Sequence, residues 1–113
     1  MKRDMDLARE LLLQIADDAV QSDEWGDKEI YHLKMLSDIG YIQGIAFLKT
    51  WQGLVFGLAN PQLTWAGHEF LDTIRPKTVW EKIKLVAKEK GIGLTFESIT
   101  KIGSTVVGAL LST

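Results

Sequence analysis

No cysteine occurs among the 113 residues, which excludes disulfide cross-links and thiolate chemistry together. The chain also has no phosphate-cradling Walker loop, no Gly-x-Ser-x-Gly elbow and no paired-glycine nucleotide fingerprint. Enzymes that announce themselves by a local motif are thereby set aside, and neither a catalytic residue nor a cofactor is expected. Long apolar runs are missing as well. The opening "MKRDMDLARE" alternates charges too early for the apolar core of a signal peptide. The least charged stretch, residues 96–111, carries only Glu97 and Lys101 and falls short of the roughly 20 residues a bilayer crossing needs. A cytoplasmic protein with no membrane partner is the default expectation, and no internal repeat or low-complexity tract complicates it.

What is present is unevenly distributed. The net charge of -2 combines an acidic N-terminal third, where residues 1–40 hold 5 Lys/Arg against 10 Asp/Glu, with a basic segment 75–101 holding 7 against 3. A basic segment can attract nucleic acid or an acidic partner, and the acidic first helix suits a basic protein partner; a solvated helix face explains either bias more simply.

Periodicity divides the chain into elements. Leu7, Leu11 and Ile15, flanked by Ala8 and Leu12, predict an amphipathic helix from Asp4 to about Ala19. After "QSDEWG", Asp27 is placed to cap a second helix that ends at Gly40, with Leu33, Leu36 and Ile39 inward and Ile30, Tyr31, Lys34 and Asp38 outward. "YIQGIAFLKTWQGLVFGLA" is β-branched, aromatic and glycine-punctuated, which predicts a hairpin turning near Lys49 to Gly53, with "NPQ" closing the strand run. Thr64 is placed to cap the helix "WAGHEFLDTI". Thr78 to Glu81 fits a capping box for a helix ending at Gly91, on which Lys77, Glu81, Lys84 and Lys88 share one face. Thr95 opens a last helix whose stripe Ile99, Ile102, Val106 and Leu110, with Val107 at its edge, either folds back on its own domain or forms a homodimer.

The order helix, short break, helix ending in "HLKMLSDIGYI", hairpin, then "LTWAGHEFL" resembles the winged helix-turn-helix pattern of small bacterial regulators. More closely, "MKRDMDLARELLL", "YHLKMLSDIGYI", "LTWAGHEFLDTIR" and "TVWEKIK" are similar to a phage-associated bacterial family, domain-of-unknown-function family 2513. The resemblance implies an α+β, winged-helix-like domain over residues 1–76, a helical extension over 77–113, and a phage or prophage context.

Two kinds of partner follow. DNA would be met by Tyr31 and Lys34 of the second helix, by Lys49, Trp51 and Gln52 of the hairpin, and by Lys84 and Lys88 if the later helix lies alongside. A protein partner would use the tryptophans: Trp65 and Trp80 lie on amphipathic helices and are expected in the core, while Trp51 at the hairpin tip divides evenly between surface contact and packing. His68-Glu69 with Asp72 one turn later hints at a metal hydrolase that would need His32 as a further ligand. A zincin requires a second His at the i+4 position, because both imidazoles must point at one zinc from one face, so no metal is expected.

Overall fold

The computed structural model describes residues 2–111, with Leu58 described by its backbone alone. Among the described residues the chain is α+β, with five α-helices and a two-stranded antiparallel sheet, in an order compatible with a winged-helix-like arrangement. The elements are α1 (Met5–Ala16), a 3-10 turn (Ser22–Glu24), α2 (Asp27–Asp38), β1 (Ile42–Thr50), β2 (Gly53–Leu63), α3 (Trp65–Ile74), α4 (Lys77–Glu89) and α5 (Phe96–Leu111). Two compact units, Met1–His68 and Glu69–Thr113, divide the chain inside α3.

In the first unit Asp4 caps α1, its Oδ1 accepting the Leu7 N–H at 3.1 Å, and Met5, Ala8, Leu11, Leu12 and Ile15 form the buried stripe. The helix stops at Ala16, short of the predicted Ala19. Asp18 takes a left-handed conformation (φ 55), and the Ala19 N–H closes back onto the Gln14 carbonyl at 2.8 Å. At the head of α2 the cap is Gly26, not Asp27, and Glu29 Oε1 accepts the Gly26 N–H at 3.1 Å. The inward face of α2 also differs from expectation: Ile30, His32, Leu33 and Leu36 are buried, whereas Ile39 is exposed. Ile30, Leu33 and Leu36 step by three along one stripe. Ile39 is already the C-cap, beyond which Gly40 (φ 83) reverses the chain.

The hairpin turns through Trp51 and Gln52, with Thr50 opposite Gly53. The Thr50 hydroxyl donates to the Gly53 carbonyl at 2.8 Å and accepts the Gln52 N–H at 3.2 Å, closing the loop. β2 continues through Asn60-Pro61-Gln62 to Leu63, where the sequence predicts the strand to end. Proline is accommodated because the pairing slips there: Gly44 alone faces Asn60 and Pro61 between the pairs Gln43–Gln62 and Ile45–Ala59. Gly44 sits at φ 92, and a Cβ on it would lie 2.1 Å from the Asn60 carbonyl oxygen. A second slip sets Ala46 against Gly57 and Leu58. The Trp25 ring meets Phe56 edge-on at 5.0 Å and Ile42 and Leu63 bury the base of the hairpin, so the sheet is held to the helices along one side.

Thr64 caps α3 as predicted, accepting the Gly67 N–H at 3.1 Å and donating to the Gly40 carbonyl. In the second unit Phe70, Leu71 and Ile74 are buried, and Phe70 meets Phe96 edge-on at 5.4 Å. Trp65, expected in the core from its place on an amphipathic helix, is instead 80% exposed. It precedes Phe70, Leu71 and Ile74 by five, six and nine residues, roughly half a turn round the helix from them at about 3.6 residues per turn. Trp80 is buried with Val79, Ile83 and Ala87 on α4. That helix begins at Lys77 after Pro76, so the predicted Thr78–Glu81 capping box falls inside it and does not cap. Thr95 and Ser98 cap α5 reciprocally at 3.0 and 2.9 Å. Ile99, Ile102 and Val106 of the α5 stripe are buried within the chain, while Leu110 is exposed.

Candidate interaction surface

The hairpin end combines three residues singled out from the sequence. Lys49 and Gln52 are exposed and Trp51 is 92% exposed. Behind the tip, Leu48 (55% exposed) and Val55 (40%) are register partners, so their side chains stand together on one face of the ladder. An apolar pair and an indole therefore stand in water next to one lysine.

On α2, Tyr31 is exposed, and Lys34 is committed twice: it pairs with Asp38 one turn later, and its Nζ lies 5.8 Å from the centroid of the Phe47 ring in β1. Lys84 and Lys88 stand on α4 in the second unit. Lys84 lies 3.4 Å from Glu81 with its Nζ 5.7 Å from the Trp80 ring, and Lys88 is exposed in the last turn. The structure thus groups Lys49, Trp51 and Gln52, sets Lys34 against β1, and places the two later lysines together on their own unit.

Charge separates by unit. Residues 1–68 carry six Lys/Arg and ten Asp/Glu, and residues 69–113 carry seven and five. Within the first unit Lys28 reaches Asp4 at 3.0 Å. The Lys28 hydrogen bond, then the Leu7 N–H, hold the Asp4 carboxyl below its ordinary value.

His32 has a role that the sequence did not disclose. It is fully buried, its Nδ1 lies 2.7 Å from the Lys28 carbonyl oxygen, and its Nε2 receives the Asp4 N–H at 2.8 Å. A carbonyl only accepts, so Nδ1 carries the proton and Nε2 offers its lone pair. Both nitrogens are spent on backbone groups, and the ring ties α2 to the N-cap of α1. The available signal was position: His32 stands four residues before Leu36, on the same inward stripe. His68, Glu69 and Asp72 are exposed on α3. Among the described residues no three His, Asp or Glu side chains are grouped to hold a metal, and no helix is long and apolar enough to cross a membrane.

The family model described as "Hypothetical protein (DUF2513)" matches residues 2–93. An uncharacterized protein of Haemophilus influenzae is 33% identical over 124 aligned positions, which cover 99% of this chain and 100% of the relative. No solved structure matches.

Proposed function

We propose that this chain, which belongs to the DUF2513 family, acts in the cytoplasm by binding another protein through the end of its β-hairpin. The observation that carries the reading is Trp51, 92% exposed in a two-residue loop beside the Leu48–Val55 pair. Large apolar side chains gain roughly 1.5–3 kcal/mol on burial, and Trp51 gains almost none of this in the free chain. Tryptophan is concentrated at the energetic centres of protein interfaces, where a partner's pocket supplies the missing burial. The acidic balance of the first unit favours a partner with a basic surface.

Duplex DNA is the second reading, favoured by the winged-helix-like order that sets α2 beside a hairpin. It would employ Tyr31, Lys34, Lys49, Trp51 and Gln52, joined by Lys84 and Lys88. Phosphate binding rests on free Lys and Arg. Lys34 is paired with Asp38 and its unit is net acidic, so protein is the better-supported partner.

The two readings separate in one comparison. Proteins enriched from a host lysate by the wild-type chain are purified and titrated against wild type and Trp51→Ala, in parallel with labelled duplexes at low salt. A purified partner should lose about tenfold or more in affinity to Trp51→Ala, equivalent to about 1.4 kcal/mol. Equal affinity for both chains, or salt-sensitive duplex binding that Lys49→Ala removes, would transfer the assignment to DNA or to another surface.

A further inference from the structure

A cleft of about 380 Å³ opens on the first unit beside α1, walled by Leu7 and Leu11 of that helix and by Gln21, Glu24, Trp25 and Glu29 of the connection and the first turn of α2. We infer that this cleft receives an arginine side chain of the partner protein. The inference deepens the protein-binding reading and rests on it, but it concerns a site apart from the hairpin tip.

Each part of the wall matches a part of that side chain. Leu7, half-buried on α1, offers an apolar surface to a methylene stem, which long cationic side chains bury while keeping the charged head hydrated. Trp25 is half-buried and braced edge-on by Phe56 at 5.0 Å, so the indole is a fixed wall over which a guanidinium can stack. The charged side chains lining the cleft are Glu24 and Glu29, both acidic, and neither lysine nor arginine is among its lining residues.

Those carboxylates are already positioned. Glu29 is anchored by the Gly26 N–H to its Oε1 at 3.1 Å, and the Gln21 amide, turned to donate, reaches the two Glu24 oxygens at 2.6 and 2.9 Å. Acceptors held in place by their own chain lower the ordering cost that a ligand would otherwise meet.

Alternative occupants fit less well. A hard divalent cation takes about six or more oxygen ligands, which two leucines and an indole do not supply. A phosphate would be repelled by both glutamates. Arginine is preferred to lysine because its planar fork both stacks on an aromatic face and bonds a carboxylate through two N–H groups. The cleft volume also falls in the range of about 300–1,000 Å³ usual for specific ligand sites.

The probe is the acetylated, amidated peptide Gly-Ser-Arg-Ser-Gly, with its citrulline counterpart as the neutral isostere, titrated into the full isotope-labelled chain by NMR. Millimolar arginine peptide should shift the Trp25 indole N–H and the amides of residues 21–29, and the citrulline peptide should leave them in place. Glu24→Gln combined with Glu29→Gln should weaken binding about tenfold or more. Glutamine at position 29 keeps an oxygen for the Gly26 N–H, so an unchanged melting temperature will show that the α2 cap survives. Equal shifts from the citrulline peptide, or a Trp25 signal that stays still at millimolar arginine peptide, would overturn the inference. Trp51→Ala leaves the peptide shifts intact. Failure at the cleft with Trp51-dependent partner binding preserved therefore sinks the cleft alone, and the opposite pattern sinks the hairpin reading alone.

Discussion

Gly67→Ala probes the tightest approach in the first unit. A Cβ built on Gly67 lies 2.0 Å from the Tyr41 carbonyl oxygen and 2.9 Å from its carbon. Carbon and oxygen approach to about 3.3 Å in ordinary close contacts, so α3 and Tyr41 must part by about 1 Å. The same carbonyl accepts the Thr64 N–H at 3.1 Å, and the Thr64 hydroxyl accepts the Gly67 N–H, so the movement damages the cap as well. Overpacking costs about 1–3 kcal/mol and a lost hydrogen bond about 1 kcal/mol, while the helix preference of alanine over glycine returns about 1 kcal/mol. The net loss is about 2 kcal/mol, or about 8 °C in melting temperature for a chain of this size. Gly108→Ala in α5 is the internal control, because a Cβ there meets nothing within 4 Å. It should stabilise by about 0.5–1 kcal/mol. Urea denaturation followed by circular dichroism measures both. A Gly67→Ala chain as stable as wild type would refute the contact, and two shifts of the same sign would refute the contrast.

Other perturbations follow from the same geometry. His32→Ala removes the ring bonds to the Asp4 N–H and the Lys28 carbonyl, leaves the Asp4 N–H without its partner and opens a cavity in the core, so urea denaturation should show a loss of about 3 kcal/mol; under about 1 kcal/mol, the doubly bonded ring is wrong. Asp4 has its folded pKa held below its ordinary 3.8 by Lys28 and the Leu7 N–H, so its contribution is complete above that value and disappears as pH falls through the folded one. The pair is partly exposed and the effect small, but Asp4→Asn should flatten that part of the acid limb of stability, and an unchanged limb argues against the pair. Thr64→Ala removes the α3 cap and should cost about 1 kcal/mol in the same denaturation assay. Trp51→Ala should leave stability within about 0.5 kcal/mol, and a larger loss would mean that the indole packs.

The helices were legible because their signals are local. Leu7, Leu11 and Ile15 repeat at helical spacing, Thr64 and Thr95 stand where caps form, and Gly40 and Gly91 stand where left-handed C-terminal residues are needed. The hairpin turn was legible for the same reason. Features set by a distant partner were not. Pro61 ends a strand by its own propensity, and only Gly44 on the facing strand makes the bulge that admits it. Ile30 and Ile39 are chemically alike, and the rotation of α2 against the unit's core decides which is buried. Of the candidate site, the grouping at the hairpin tip could be read from chain proximity. The exposure of Trp51, the pairing of Lys34 with Asp38 and the backbone bonds of His32 required the fold.

A sheet of two strands has an unpaired edge on each, and such edges usually template another strand from a neighbouring molecule. Here the two slips in pairing break the row of outward N–H and C=O groups, and Pro61 has no N–H to offer. The longest uninterrupted pairing is Phe47–Thr50 against Gly53–Phe56, where Lys49 adds a charge that discourages stacking of chains. The hairpin can therefore hold Leu48, Val55 and Trp51 in water without offering a long template for amyloid-like growth: its apolar side chains are exposed while its backbone is poorly suited to pairing with another chain.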